Sequence, residues 1–174
     1  MTFKEYCSYL NKEKLKYEIG SKERNNIEDI LYCIEEYICS TKGFYELVLK
    51  YCLENNIKEV YDIGCCYGWQ SEIFINNNIK YIGIECEILD FWNKDNCTYI
   101  NKKYPFPIKH NKDAIAISNL CIGYLVKEFD ELYSFDTIIL NCKLDTFNSQ
   151  YTITKKEGIY CSENYQMYVY KKGE

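Results

Sequence analysis

A chain of 174 residues with 47% hydrophobic side chains can fill one continuous core but is too short for two full domains. A formal net charge of -5 and a pI near 5.1 supply no long-range attraction for polyanions, which argues against free nucleic acid as the partner. The opening Met1-Thr2-Phe3-Lys4-Glu5-Tyr6 has no signal-peptide run, and no stretch of about 18 apolar residues could cross a bilayer, so the expectation is a cytoplasmic protein with no membrane partner.

Taken in chain order, Thr2 and Glu5 have capping-box spacing, and Phe3, Tyr6, Cys7 and Leu10 follow at helical intervals, predicting a short opening helix. Ile27, Ile30, Leu31, Ile34 and Ile38 form a second apolar stripe. Phe44, Leu47, Val48 and Tyr51 form a third after the break at Ser40 to Gly43, so two further amphipathic helices are expected. The pattern then changes to short apolar runs at Glu59 to Ile63, Lys80 to Glu85, Cys97 to Asn101, Ala114 to Ser118 and Asp136 to Asn141, which read as strands. Helices are expected at Trp69 to Ile75 and Ile122 to Leu132, with shorter crossovers at Cys86 to Lys94 and Lys102 to Asp113. Gly158 to Cys161 and Tyr165 to Tyr170 should close the chain as an antiparallel hairpin. The predicted organisation is one α/β domain over 1–174, with an N-terminal helical segment over 1–56 and an α/β core over 57–174.

The cysteines number 11, an odd count at irregular spacing, and are expected to be reduced and dispersed, with no bridge between the adjacent Cys65 and Cys66. No Cys-x-x-Cys pair occurs and His110 is the sole histidine, so no metal site is predicted. The 19 tyrosines, with abundant Asn, Lys and Ile, suggest an AT-rich genome such as that of a low-GC bacterium or its phage.

The most informative stretch is Val60-Tyr61-Asp62-Ile63-Gly64-Cys65-Cys66-Tyr67-Gly68-Trp69, a strand that runs into a glycine-bearing turn and then a helix. Such a turn brings backbone against a ligand where a Cβ would collide, and the following helix start favours an anionic group. The next strand ends in Gly83-Ile84-Glu85, where a carboxylate can accept both hydroxyls of a ribose. A nicotinamide-binding loop would need Gly-x-Gly-x-x-Gly, and the second and third glycines are missing in register. The bland alternative is a tight turn with Asp62 and Glu85 solvated at strand ends.

Asp62-x-Gly64-x-x-x-Gly68 followed by Glu85 resembles motifs one and two of the class I, Rossmann-like S-adenosylmethionine-dependent methyltransferases. The resemblance spans Phe44 to the C-terminus and departs from the family where Cys66 stands for the middle glycine of the loop. It implies about seven strands, mostly parallel, with an antiparallel C-terminal hairpin, and S-adenosylmethionine as cofactor. It assigns Asp62 to the methionine amine, Gly64, Cys66 and Gly68 to the loop, and Glu85 to the ribose. Trp69 would pack beside the cofactor, Asn101 or the Lys102 backbone would meet the adenine, and Ser118 would line the site. The fourth strand's end then faces the methyl group, so Ser118, Asn119 and Cys121 flank the reaction centre.

DNA amino-methyltransferases carry Pro-Pro-aromatic after the fourth strand where this chain reads Asn119-Leu120-Cys121-Ile122, and no Cys follows a Pro, so a DNA base is not the expected substrate. Methyl transfer from a sulfonium needs positioning first and a base only for a protonated acceptor, leaving His110, Ser118 and Asn119 as catalytic candidates. The expected function is methylation of an unidentified acceptor. The competing expectation is a catalytically silent methyltransferase-fold protein, phage-encoded, that binds a host protein.

Overall fold

The computed structural model describes residues 3–86, 97–104, 106–119, 132–143, 150–158 and 166–173. Two helices open the chain, α1 at Phe3–Glu13 and α2 at Lys22–Glu54, joined by a 3-10 turn at Lys14–Lys16. Then come β1 (Glu59–Ile63), α3 (Ser71–Ile75), β2 (Lys80–Glu85), β3 (Cys97–Asn101), β4 (Ile115–Ser118), β5 (Thr137–Leu140), β6 (Tyr151–Gly158) and β7 (Gln166–Lys172). These strands form one sheet in the order β3-β2-β1-β4-β5-β7-β6. The first five are parallel, and the β6–β7 hairpin joins β5 antiparallel. The expected fold class is what the chain adopts.

The two helices predicted over Ile27 to Tyr51 are a single helix, α2, capped by Ser21, whose hydroxyl accepts the Arg24 N–H at 3.3 Å. The break at Ser40 to Gly43 fails to interrupt it because both hydroxyls are absorbed: Ser40 Oγ and Thr41 Oγ1 donate back to the Tyr37 carbonyl at 3.0 and 2.6 Å. One glycine in a helix costs about 1 kcal/mol. A continuous buried stripe of Ile34, Thr41, Phe44, Tyr45, Val48, Tyr51 and Cys52 outweighs that cost.

Alternation divides each strand between two apolar layers. Val60, Tyr81, Ile115 and Ile117 pack beneath Phe44, Tyr45 and Val48 of α2 and Phe74 of α3. Tyr61, Ile63, Ile82 and Ala116 face the other way, toward Leu132, Phe135 and Tyr151. Every residue of β1 is buried, as a strand central to a covered sheet must be. Strand order reverses between β1 and its neighbour β4, which places a topological switch point at the carboxyl end of β1.

Several boundaries move from their sequence expectations, those of β4 and β5 by single residues. The first hairpin arm runs over Tyr151–Gly158 instead of starting at Gly158, because this edge strand is largely exposed and its Thr and Lys residues carry no apolar alternation. The helix after β1 begins at Ser71, not Trp69. Leu132 lies in a 3-10 turn, Leu132–Ser134, while the rest of the helix expected at Ile122 to Leu132 lies outside the described residues. Outside them too are Thr2 of the capping box, most of the Cys86 to Lys94 crossover, and 159–165 of the hairpin. No disulfide joins the described cysteines, Cys65 and Cys66 among them. No helix among the described residues is long and apolar enough to cross a membrane.

Candidate functional site

The loop after β1 has alternating left-handed residues: Gly64, Cys66 and Gly68 take φ of 74°, 49° and 64°. Cys66 therefore adopts the backbone a glycine would, at a steric cost of about 1 kcal/mol that only a structure over-determining the turn can hold. Two anchors do so. Gly64 N–H donates to the Ile84 carbonyl at 2.8 Å, and Cys66 N–H donates to Glu85 Oε2 at 3.2 Å. The other carboxylate oxygen, Glu85 Oε1, accepts the Cys86 N–H at 2.8 Å. The glycine turn and the end of β2 are thus physically joined through Glu85. Gly83 serves the same junction, because a Cβ there would stand 2.7 Å from Cys65 Sγ.

Asp62 pairs in register with Gly83 on one side and Ile117 on the other, and it is 0% exposed. Its Oδ2 accepts from Gln70 Nε2 at 2.6 Å and from the Tyr81 hydroxyl at 2.7 Å. Gln70 Nε2 also reaches the Cys65 carbonyl and the Tyr81 hydroxyl at 3.0 Å, and the Tyr45 hydroxyl at 3.1 Å. Asp62 Oδ1, by contrast, has no hydrogen-bond partner among the described residues. Burial pushes the Asp62 carboxyl up to about 6, against the pull of Gln70, Tyr81 and Tyr45, with the negative charge of Glu85 adding to the rise. Burial and then the Asp62 charge raise Tyr45 and Tyr81 well above the ordinary phenol range, so both remain protonated. Among the described residues the result is a buried carboxyl with no ion pair and one oxygen left over, an expensive arrangement unless something else meets that oxygen.

Other sequence-predicted residues gather at the same end of the sheet. Ser118 ends β4 and donates its hydroxyl to the Ile63 carbonyl at 2.8 Å, which ties β4 to the start of the loop. Asn119, 5% exposed, follows it with a buried Nδ2 that has no hydrogen-bond partner among the described residues. Asn101 ends β3 opposite Glu85 and is exposed, while the Lys102 N–H is taken by the Glu85 carbonyl at 2.9 Å. Trp69 turns toward α2: its Nε1 donates to Thr41 Oγ1 at 3.2 Å and its ring meets Tyr45 edge-on at 5.8 Å. Cys121 lies outside the described residues.

His110 is not brought to this place. It lies in the segment that leads into β4, at the amino end of the strands, stacked on Phe135 at 3.8 Å with Nε2 3.1 Å from Ser134 Oγ. Sequence reasoning missed Gln70, Tyr45 and Tyr81, which hold the Asp62 carboxyl. For Tyr81 a signal existed: it alternates with Gly83 and Glu85 on one face of β2.

No protein-family model and no curated protein sequence matches the chain. Solved structures do match. The magnesium protoporphyrin IX methyltransferase ChlM from Synechocystis PCC 6803, with bound SAH, superposes with a TM-score of 0.56 at 12% identity, over 81% of this chain and 87% of that one. The same enzyme with bound SAM gives 0.53 at 13% identity, over 85% and 83%. A mutant of MtNAS gives 0.52 at 10% identity, over 99% of this chain and 75% of that one. At such identities the likeness is one of fold: a Rossmann-like sheet of the methyltransferase kind with its C-terminal antiparallel hairpin.

Proposed function

We propose that this chain is an S-adenosylmethionine-dependent methyltransferase acting on an acceptor still to be identified. The observation that carries the reading is Asp62: a fully buried carboxyl at the carboxyl end of the central strand, with neither a partner for Oδ1 nor an ion pair among the described residues. A ligand ammonium is the group that such an oxygen accommodates, since a positive charge within hydrogen-bond reach restores the ionised form. Fold analogy adds the ligand class, because the Synechocystis enzyme that shares this architecture was crystallised with SAM and with SAH.

In this reading Asp62 takes the amino group, and the turn built on Gly64, Cys66 and Gly68 lies under the ligand. Glu85, fixed at the loop by the Cys66 and Cys86 amides, receives the ribose hydroxyls beside Asn101. Trp69 acts at one remove, by pinning the loop to α2, and Ser118 by holding β4 against β1. Bound there, the cofactor supplies an electrophilic methyl on a sulfonium. The chain's own part is to orient it, exclude water and leave the β4 end open to an acceptor, with Asn119 Nδ2 as a donor at that end. The test is calorimetric titration with S-adenosylmethionine and S-adenosylhomocysteine. Binding of both, weakening as pH falls through about 6, is the expected result; no binding of either ends the reading.

One observation favours a second reading, the silent scaffold that binds a host protein. The Ser118 hydroxyl is already committed to the Ile63 carbonyl and His110 sits at the far end of the sheet, so two of the three catalytic candidates do not offer a free group at the methyl position. Cofactor binding without methylation of any member of a broad acceptor panel would select it.

A further inference from the structure

Helix α2 crosses the face of the sheet that carries Asp62, and Tyr37, Thr41 and Tyr45 follow one another along it at intervals of one turn. Two of these hydroxyls are accounted for. Tyr45 Oη accepts from Gln70 Nε2 at 3.1 Å, and Thr41 Oγ1 accepts from Trp69 Nε1 at 3.2 Å while donating to the Tyr37 carbonyl. The third is not: Tyr37 Oη is buried with no hydrogen-bond partner among the described residues. The Tyr45 hydroxyl lies beside it and pulls its pKa down against the other effects, though the pair lacks the distance and angle of a full hydrogen bond. The Tyr37 ring stands edge-on to Tyr67 of the glycine loop, with centroids 6.0 Å apart, so the hydroxyl is held at the loop rather than turned to solvent. Burial, then the negative charges of Asp62 and Cys66, raise its pKa, so the phenol keeps its proton and can both donate and accept.

A buried hydroxyl and a buried carboxylate oxygen, both without hydrogen-bond partners among the described residues, flank the Tyr45–Gln70–Asp62 chain that joins α2 to β1, and together they mark one polar position left to a ligand. We infer that Tyr37 is a cofactor-site residue, its hydroxyl bonding the charged amino-acid end of the ligand whose ammonium meets Asp62 Oδ1, so that α2 forms one wall of the site. The inference rests on the methyltransferase reading. It assigns the amino-acid end of the ligand to α2 and β1 and leaves the nucleoside to Glu85 on β2, so the two ends are separable by mutation.

The experiment compares the whole chain with Tyr37→Phe in calorimetric titrations against S-adenosylhomocysteine and 5′-deoxy-5′-methylthioadenosine, which keeps the nucleoside and thioether but lacks the amino-acid end. Tyr37→Phe should weaken S-adenosylhomocysteine about tenfold, as loss of a hydrogen bond to a charged group does, and leave the truncated ligand unaffected. Without ligand, the thermal midpoint of Tyr37→Phe should equal or exceed that of the unmodified chain, since the substitution removes a hydroxyl with no partner. Equal affinity for S-adenosylhomocysteine in the two proteins overturns the inference and leaves the cofactor reading standing. Equal losses for the two ligands, or a lowered midpoint, make Tyr37 a structural residue and also overturn it. Failure of the unmodified chain to bind either ligand removes the methyltransferase reading, and the inference with it.

Discussion

Strand β1 carries two buried carboxylates, Glu59 at its amino end and Asp62 three residues later, and their environments are opposites. Glu59 is 5% exposed and fully engaged: Oε1 meets Lys80 Nζ at 2.8 Å and the Tyr61 hydroxyl at 3.2 Å, and Oε2 accepts from Asn111 Nδ2. Burial pushes its carboxyl up, but Lys80, Asn111 and Tyr61 together outweigh that and hold it below the ordinary range. Asp62 has neutral donors on one oxygen and, among the described residues, no partner on the other and no ion pair, and burial pushes its carboxyl up to about 6. Burial alone therefore does not mark a functional acid. What separates the two is whether the chain itself completes the carboxylate's shell, and at the amino end of this sheet it does.

The largest expected effect comes from removing the Asp62 charge. Its folded value of about 6 lies above the ordinary 3.8, so between those values the native state holds more protons than the unfolded chain and loses stability as pH rises. The contribution is complete below about pH 4 and gone above about pH 6; the gap corresponds to about 3 kcal/mol. Asp62→Asn cannot ionise, and its carbonyl can take the bonds from Gln70 and Tyr81. Denaturant melts without ligand should therefore show Asp62→Asn more stable by up to about 3 kcal/mol near pH 8, with the gain vanishing near pH 4. The same variant should lose cofactor binding. A destabilised Asp62→Asn at pH 8 would mean that the carboxyl is satisfied after all and that the contrast with Glu59 is false.

Glu85 stands between these extremes, since both oxygens accept loop amides and the side chain remains partly exposed. In the cofactor reading it also accepts from ribose hydroxyls. Glu85→Ala should then weaken binding by about tenfold to a hundredfold, the range for hydrogen bonds to a charged group. Titration of Glu85→Ala indistinguishable from the unmodified chain would return Glu85 to the role of a loop anchor alone. Glu59→Gln should do the converse: cofactor affinity unchanged, stability lowered by about 1 to 2 kcal/mol as the Lys80 and Asn111 bonds lose their charged partner. Any change in affinity from Glu59→Gln would break the division between the two ends of the strand.

How much of this the sequence foretold depends on the range of each interaction. β1, β2 and β3 lie where the apolar runs place them, and Asp62, the glycine turn and Glu85 were legible because strand, turn and helix follow one another within a few residues. The unbroken α2 was not, because whether Ser40, Thr41 and Gly43 end a helix depends on the sheet packed against it. Gln70, Tyr45 and Tyr37 were hidden for the same reason. One glutamine in a loop and two among 19 tyrosines acquire a role only when α2 is laid over β1. His110 shows the same limit from the other side: as the sole histidine it was a candidate base, and the topology sets it at the amino end of the strands, away from Asp62 and Glu85.

The smallest expected effect tests the one departure from the family's loop. Cys66 has φ of 49°, a left-handed conformation that costs a residue with a Cβ about 1 kcal/mol and costs glycine almost nothing. Glycine gives back part of that gain through its greater freedom in the unfolded chain. Cys66→Gly should therefore stabilise the protein by about 0.5 to 1 kcal/mol, measured as a raised denaturation midpoint at unchanged slope. The Glu85 contact uses the Cys66 amide, which glycine retains, so cofactor affinity should be preserved. Cys66→Val should move the other way by 1 kcal/mol or more, since a β-branched side chain tolerates positive φ least. If glycine instead destabilises the loop, the thiol contributes a contact that outweighs the backbone cost. Cys66 would then be a built feature of this turn, not a tolerated substitute for glycine.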